Sequence, residues 1–134
     1  AALAAKWFGD AARQGFARAQ NNLGVIYEKG RGVSKSEKDA AKWYRKAALQ
    51  GHAKAQMKIA NFYLKGKGVP RDMAESLFWL TVIAERQKGR IRNKSKYLRS
   101  RVTKSLSAEQ ISQVQARVRT WRPQTGTSGA VKGR

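Results

Sequence analysis

The chain has 134 residues, room for one domain or one linear array and too little for a multidomain enzyme. Hydrophobic residues make up 41%, enough for a core, while 29 Lys and Arg against 8 Asp and Glu leave a formal net charge of +21, a surface that favours polyanions and acidic protein faces over cations. With no Cys and a single His, disulfide frameworks, thiolate metal sites, iron–sulfur clusters and Cys nucleophiles are excluded; no metal and no cofactor is expected. Charges interrupt every apolar run well short of the roughly 20 residues a membrane-spanning helix needs. The chain opens AALAAKW, without an initiator Met or a basic-then-apolar leader, which reads as a mature form or a fragment.

Residues 1–36 laid over 37–72 without gaps give 16 identities, among them Lys6/Lys42, Trp7/Trp43, Ala12/Ala48, Gln14/Gln50, Gln20/Gln56, Tyr27/Tyr63, Gly30/Gly66 and Gly32/Gly68. A period of 36 follows, and each copy reads as two helices. Ala40, Trp43, Tyr44, Ala47 and Ala48 fall at i, i+3, i+4, i+7 and i+8, one apolar stripe of a first helix that ends just before Gly51. The second helix runs from about Ala53 to Lys65 with Ala55, Ile59, Phe62 and Tyr63 inward, and Gly66-Lys67-Gly68 makes the turn to the next copy. Recurring Ala lets backbones approach closely. The tryptophans at the period, Trp7, Trp43 and Trp79, are expected to pack in the core. A third copy starts with Asp72 and Trp79 but loses the Gly-x-Ala-x-Ala-Gln segment after Ala84. The array is therefore divided as 1–36, 37–72 and a partial 73–84, followed by a basic segment with a helix at 85–106, a capping helix at 107–122 and a loose tail at 123–134.

The pattern Ala-x-x-Trp-[Phe/Tyr]-x-x-Ala-Ala-x-Gln-Gly-x-Ala-x-Ala-Gln, followed by Tyr and Gly-x-Gly-Val, resembles the Sel1-like repeat family, relatives of the tetratricopeptide repeats, over residues 1–84. Ile59-Ala60 stands where that family usually has Leu-Gly, and Ser36 where the next copy has Asp72. The ending SLSAEQISQVQARVRTWRP is similar to the terminal segment of bacterial members, which implies a bacterial origin. The resemblance implies an all-α solenoid of antiparallel helix pairs with C-terminal capping helices. A cap also follows from the residues themselves. Ser107 and Gln110 form a capping box, Ile111, Val114, Val118 and Trp121 follow at helical spacing, and Pro123 forbids continuation.

Catalytic chemistry has little material here. The acids are scattered over turns and helix surfaces, with no convergent pair for general acid and base work, and no enzyme is expected. His52 fills the slot of Phe16 in the preceding copy and is read as packing. Gly30-x-Gly32 and Gly66-x-Gly68 lack the third glycine and the strand of a dinucleotide fingerprint.

The charge is denser in the later part, with 14 Lys and Arg against 2 acids in residues 85–134. Arg86, Lys88, Arg90, Arg92, Lys94, Lys96, Arg99, Arg101 and Lys104 are taken as one anion-facing surface, and Lys6, Lys42, Arg45 and Lys46 as a second, on the concave side lined by first helices. By resemblance, the expected function is a non-catalytic scaffold or adaptor in a bacterial cell-envelope assembly, in the periplasm or envelope. Its partner would be a protein with an acidic face or an anionic envelope polymer. The alternative is nucleic-acid binding through residues 86–104, with a cytoplasmic location; against it, Tyr97 is the one aromatic residue near the basic run.

Overall fold

The computed structural model of the chain describes residues 2–125. Among these, seven α-helices follow one another: α1 (Ala2–Arg13), α2 (Ala17–Lys29), α3 (Glu37–Leu49), α4 (Ala53–Lys65), α5 (Met73–Arg86), α6 (Gly89–Val102) and α7 (Ala108–Thr120), with a 3-10 turn at Thr103–Ser105 before the last. α1 pairs with α2, α3 with α4 and α5 with α6, and the hairpins stack through α2 on α3 and α4 on α5, giving an α-solenoid. The tail read as loose lies, from residue 126 on, outside the described residues.

Local signals place these elements at the expected period. Ser36 Oγ accepts from the Asp39 backbone N–H at 3.1 Å, and 36 residues later Asp72 Oδ1 accepts from that of Glu75 at 3.0 Å, so the Ser-for-Asp exchange keeps the helix cap. At the other end, α2 and α4 terminate in Gly30 and Gly66 at φ 70° and 69°. Gly68 is forced by contact as well as by its φ of 69°: a Cβ there would lie 2.2 Å from the carbonyl oxygen of Glu37, because the turn leaving α4 presses on the backbone that opens α3. The capping box of α7 is present, with Ser107 and Gln110 bonding reciprocally at 2.9 and 3.1 Å.

The core is built from small residues and a few rings. Ala40, Ala41, Tyr44, Ala47 and Ala48 of α3 are buried against Ala55, Ile59, Ala60 and Phe62 of α4, with Tyr44 and Phe62 edge-to-face at 5.4 Å. The Leu-Gly position explains itself by what stands opposite. A Cβ on Gly24 would meet the Tyr44 ring at 2.7 Å, whereas one period later Ala60 shares the core with Leu80, which replaces the tyrosine. The smaller partner makes room for the methyl.

The tryptophans depart from expectation. Trp79 is 1% exposed, but Trp43 is only partly buried and Trp7 is 69% exposed. What differs is the cover. α7 lies on α5 rather than on α6, burying Val114 and Val118. Trp121, just past its end, meets Trp79 at 5.9 Å and Phe78 at 6.5 Å, both edge-to-face. Arg117 places its guanidinium 4.2 Å over the Phe78 ring and pairs with Glu75 at 2.9 Å, and the Gln124 N–H donates to the Leu49 carbonyl at 2.7 Å. Among the described residues no helix lies on α1 or α3 as α7 lies on α5, and the partial burial of Trp43 comes from its packing against the Ala12, Ala19, Leu23 and Ile26 cluster of the first hairpin.

Candidate functional site

Sequence identity fades after Ala84, but the structural period does not. Gln20 Nε2 donates to the Ala12 carbonyl at 3.1 Å and Gln56 Nε2 to that of Ala48 at 3.2 Å; one further period on, Arg92 Nε donates to that of Ala84 at 3.0 Å. A guanidinium thus takes over the amide's bond, and α6 is the second helix of a complete third hairpin. Gln50 donates to Gln20 at 2.8 Å and Gln87 to Gln56 at 3.2 Å, tying successive hairpins together.

The nine cations read as one surface separate onto different faces. Arg92 is engaged as above, and Arg86 is held by Trp121, donating to its carbonyl at 2.9 Å and stacking 5.2 Å from its ring. Arg101 stacks 5.7 Å from the Tyr97 ring and donates to its hydroxyl at 2.9 Å. Lys96 and Arg99 line a cleft of about 510 Å³ under α7, with Glu85 and Arg119. Arg90 and Lys94 face another, of about 420 Å³, between α4 and α6, together with Lys54 and Lys58. Lys88 opens α6, and Lys104 lies exposed in the 3-10 turn.

Of the other expected group, two members are brought together around a ring. Lys42 and Lys46 stand one turn apart on α3, each with its ammonium 5.3 Å from the Trp43 centroid, and Lys6 is exposed beside exposed Trp7 on α1. Arg45 is exposed on α3 and forms no ion pair among the described residues. On α5, Phe78, Trp79 and Val82 hold the slots of Lys42, Trp43 and Lys46, and there the face is covered by α7.

One carboxylate is deeply committed. Glu28, 14% exposed on its side chain, accepts from the Tyr44 hydroxyl at 2.6 Å, Lys67 at 2.9 Å and Lys58 at 3.2 Å. Burial alone would raise its pKa, but these three hydrogen bonds, with the charge of Lys58, outweigh it and lower the value to about 2. Tyr44 is pushed up by burial and by Glu28, and Lys67 is pushed up by its bond to Glu28. Glu28 and Lys67 are held charged and Tyr44 is held as the neutral phenol, so none of the three exchanges its proton near neutral pH, which makes the cluster a lock between α2, α3 and α4 rather than a proton relay.

A family model for the Sel1 repeat matches residues 1–16, 17–52 and 53–87. The chain belongs to the Sel1 repeat family. Two solved structures agree. A protective antigen of uropathogenic Escherichia coli strains with an SLR fold is 33% identical, with a TM-score of 0.78, over 87% of this chain and 24% of its own. A Sel1 repeat protein from Oxalobacter formigenes is 48% identical, with a TM-score of 0.64, over 67% of this chain and 37% of its own. The chain therefore spans a quarter to somewhat over a third of these relatives, whose sources point to a bacterial origin. Among curated protein sequences none matches the chain. Sel1 repeats are generally protein-interaction scaffolds, and this Sel1 array has the open helical faces such a role uses.

Proposed function

We propose that the chain is a non-catalytic scaffold whose first-helix face, at Lys6, Lys42, Arg45 and Lys46 around Trp7 and Trp43, docks an acidic helical segment of a partner protein. The observation that carries this reading is internal to the chain. On the third hairpin that same face is filled by a helix, α7, which plugs it with an aromatic ring and fixes it with an ion pair, Trp121 on Trp79 and Arg117 on Glu75. On the first two hairpins no helix lies over the slot among the described residues, and Lys6, Lys42 and Lys46 stand where α5 has Phe78 and Val82, with Asp10 at the fourth position. A segment that offers an apolar side chain to Trp43 and carboxylates to Lys42 and Lys46 has the complementary chemistry. The likeness to a protective antigen of a pathogenic bacterium supports the cell envelope or periplasm as its place.

Affinity capture from the host at low and high salt tests the reading, using the wild type and the combined Lys6→Gln, Lys42→Gln, Arg45→Gln, Lys46→Gln variant. Protein partners retained by the wild type and lost by the variant are expected. Retention of the same proteins by both, or capture of nucleic acid alone, would contradict it.

A further inference from the structure

The strongest concentration of charge lies on the other side of the solenoid, on the second helices, and it is visible only when residues are counted across the period. Arg18, Lys54 and Arg90 hold the same position on α2, α4 and α6, and Lys29, Lys65 and Arg101 another, three turns further along. Lys58 and Lys94 share a position between them. Within one helix these positions recur at i, i+4 and i+11, so they form one face. Seven of the eight cations are exposed, and among the described residues only Lys58 has a carboxylate partner, the inward Glu28. Glu28 is also the one acid on these three helices; Asp10, Glu37, Asp39, Glu75 and Glu85 all lie on first helices.

The array is two-dimensional. Successive rows along a helix are about 6 Å and about 10 Å apart, from four and seven residues of rise, and packed helices lie roughly 8–10 Å apart. α4 and α6 are in contact, and Lys58 reaching Glu28 joins α4 to α2. Between α4 and α6 the cleft of about 420 Å³ is ringed by Lys54, Lys58, Arg90 and Lys94 and floored by Met57 and Ile91. The field of two adjacent hairpins adds at this edge: His52 is pushed down first by burial and then by Lys54 and Arg18, one from each.

We propose that this second-helix face docks on an anionic lipid bilayer, with a headgroup phosphate seated in the α4–α6 cleft. Long cationic stems spread over a plane match a plane of headgroups, whereas a linear polyanion would engage one row and leave the others unneutralised. A nucleic acid is disfavoured because single-strand binders stack successive bases on several rings, and Tyr97, the aromatic residue of this face, is one ring with Arg101 already against it and bonded to its hydroxyl. The proposal is independent of the partner reading, which concerns the opposite face.

The test must separate this face from the net charge of +21, which alone attracts any polyanion. Two variants of equal charge do so: Arg18→Gln, Lys54→Gln, Arg90→Gln on the second helices, and Lys42→Gln, Arg45→Gln, Lys46→Gln on a first helix. Partitioning is measured by sedimentation with vesicles of phosphatidylcholine and phosphatidylglycerol at 3:1. The wild type is expected to bind in a salt-sensitive manner, the second-helix variant to bind about a hundredfold more weakly, and the first-helix variant to change little. Equal losses in the two variants, with both folded by circular dichroism, would reduce the effect to net charge and overturn the proposal. Binding to a single-stranded oligonucleotide that the second-helix variant abolishes, with vesicle binding unmoved, would overturn it in favour of nucleic acid.

Discussion

The first and third hairpins place a tryptophan in the same slot of the same helix, yet Trp7 is 69% exposed and Trp79 is 1% exposed. Their flanks differ, Phe78 and Val82 beside Trp79 against Lys6 and Asp10 beside Trp7, and on the apolar set lies α7, which packs on α5 and brings Trp121 to Trp79. In a stacked array the role of a repeated residue is set by what lies over it. A solenoid thereby makes one motif a core residue where a helix lies over it and an exposed residue where none does.

Substitution is the most forceful way to break this comparison. Trp79→Ala is expected to cost about 3–5 kcal/mol, as truncation of a buried aromatic residue, and Trp7→Ala less than about 0.5 kcal/mol, both read from urea melts of the 134-residue chain. Equal costs would mean that α7 does not distinguish the two slots.

The lock between the first two hairpins comes next. The carboxyl of Glu28 has a pKa of about 2 in the fold and an ordinary value of 4.5 unfolded. Its contribution is complete above about pH 4.5 and is lost as pH falls towards 2, because the unfolded chain then takes up the proton first. The shift corresponds to at most about 3 kcal/mol. Glu28→Gln should flatten the pH dependence of the urea midpoint in that window, and an unchanged slope would remove Glu28 as its source.

A smaller effect sharpens the repeat-by-repeat reading. Gly24→Ala is expected to cost about 1–3 kcal/mol by crowding the Tyr44 ring. In a Tyr44→Leu background, which reproduces the pairing of Ala60 with Leu80, the same change should be close to neutral. A cost independent of the background would show that the ring is not the obstacle. Smallest of all is His52, whose lowered pKa favours the neutral ring; stability should dip slightly as pH falls through 6.5, and His52→Phe, copying Phe16, should remove the dip.

Much of the fold was legible in the sequence, because the signals are local: the period of 36, the cap at Ser107, the glycine turns and the apolar stripe of α7. What escaped is tertiary. Sequence similarity stops at Ala84 because Arg92 does not look like Gln20 or Gln56, although its Nε–H supplies the same hydrogen bond to the same carbonyl. Burial of the tryptophans could not be read from spacing, since spacing names a face and not its cover. The basic residues from 86 to 104 form a group along the chain, but a helix distributes such a run around its axis. Arg86 and Arg92 are spent on internal contacts, and Arg90, Lys94 and Arg101 join Arg18, Lys29, Lys54, Lys58 and Lys65 from the preceding hairpins. The signal for this face is recurrence at the period of 36, the same by which Trp and Ala recur.

The covered and open ends are compared most directly by acrylamide quenching of single-tryptophan variants in which the other three tryptophans are replaced by Phe. Quenching close to that of free indole at Trp7, intermediate at Trp43 and strongly suppressed at Trp79 is the expected result. A Trp79 as accessible as Trp7 would contradict the cover that α7 provides, and with it the argument that the first-helix face is built to accept a helix.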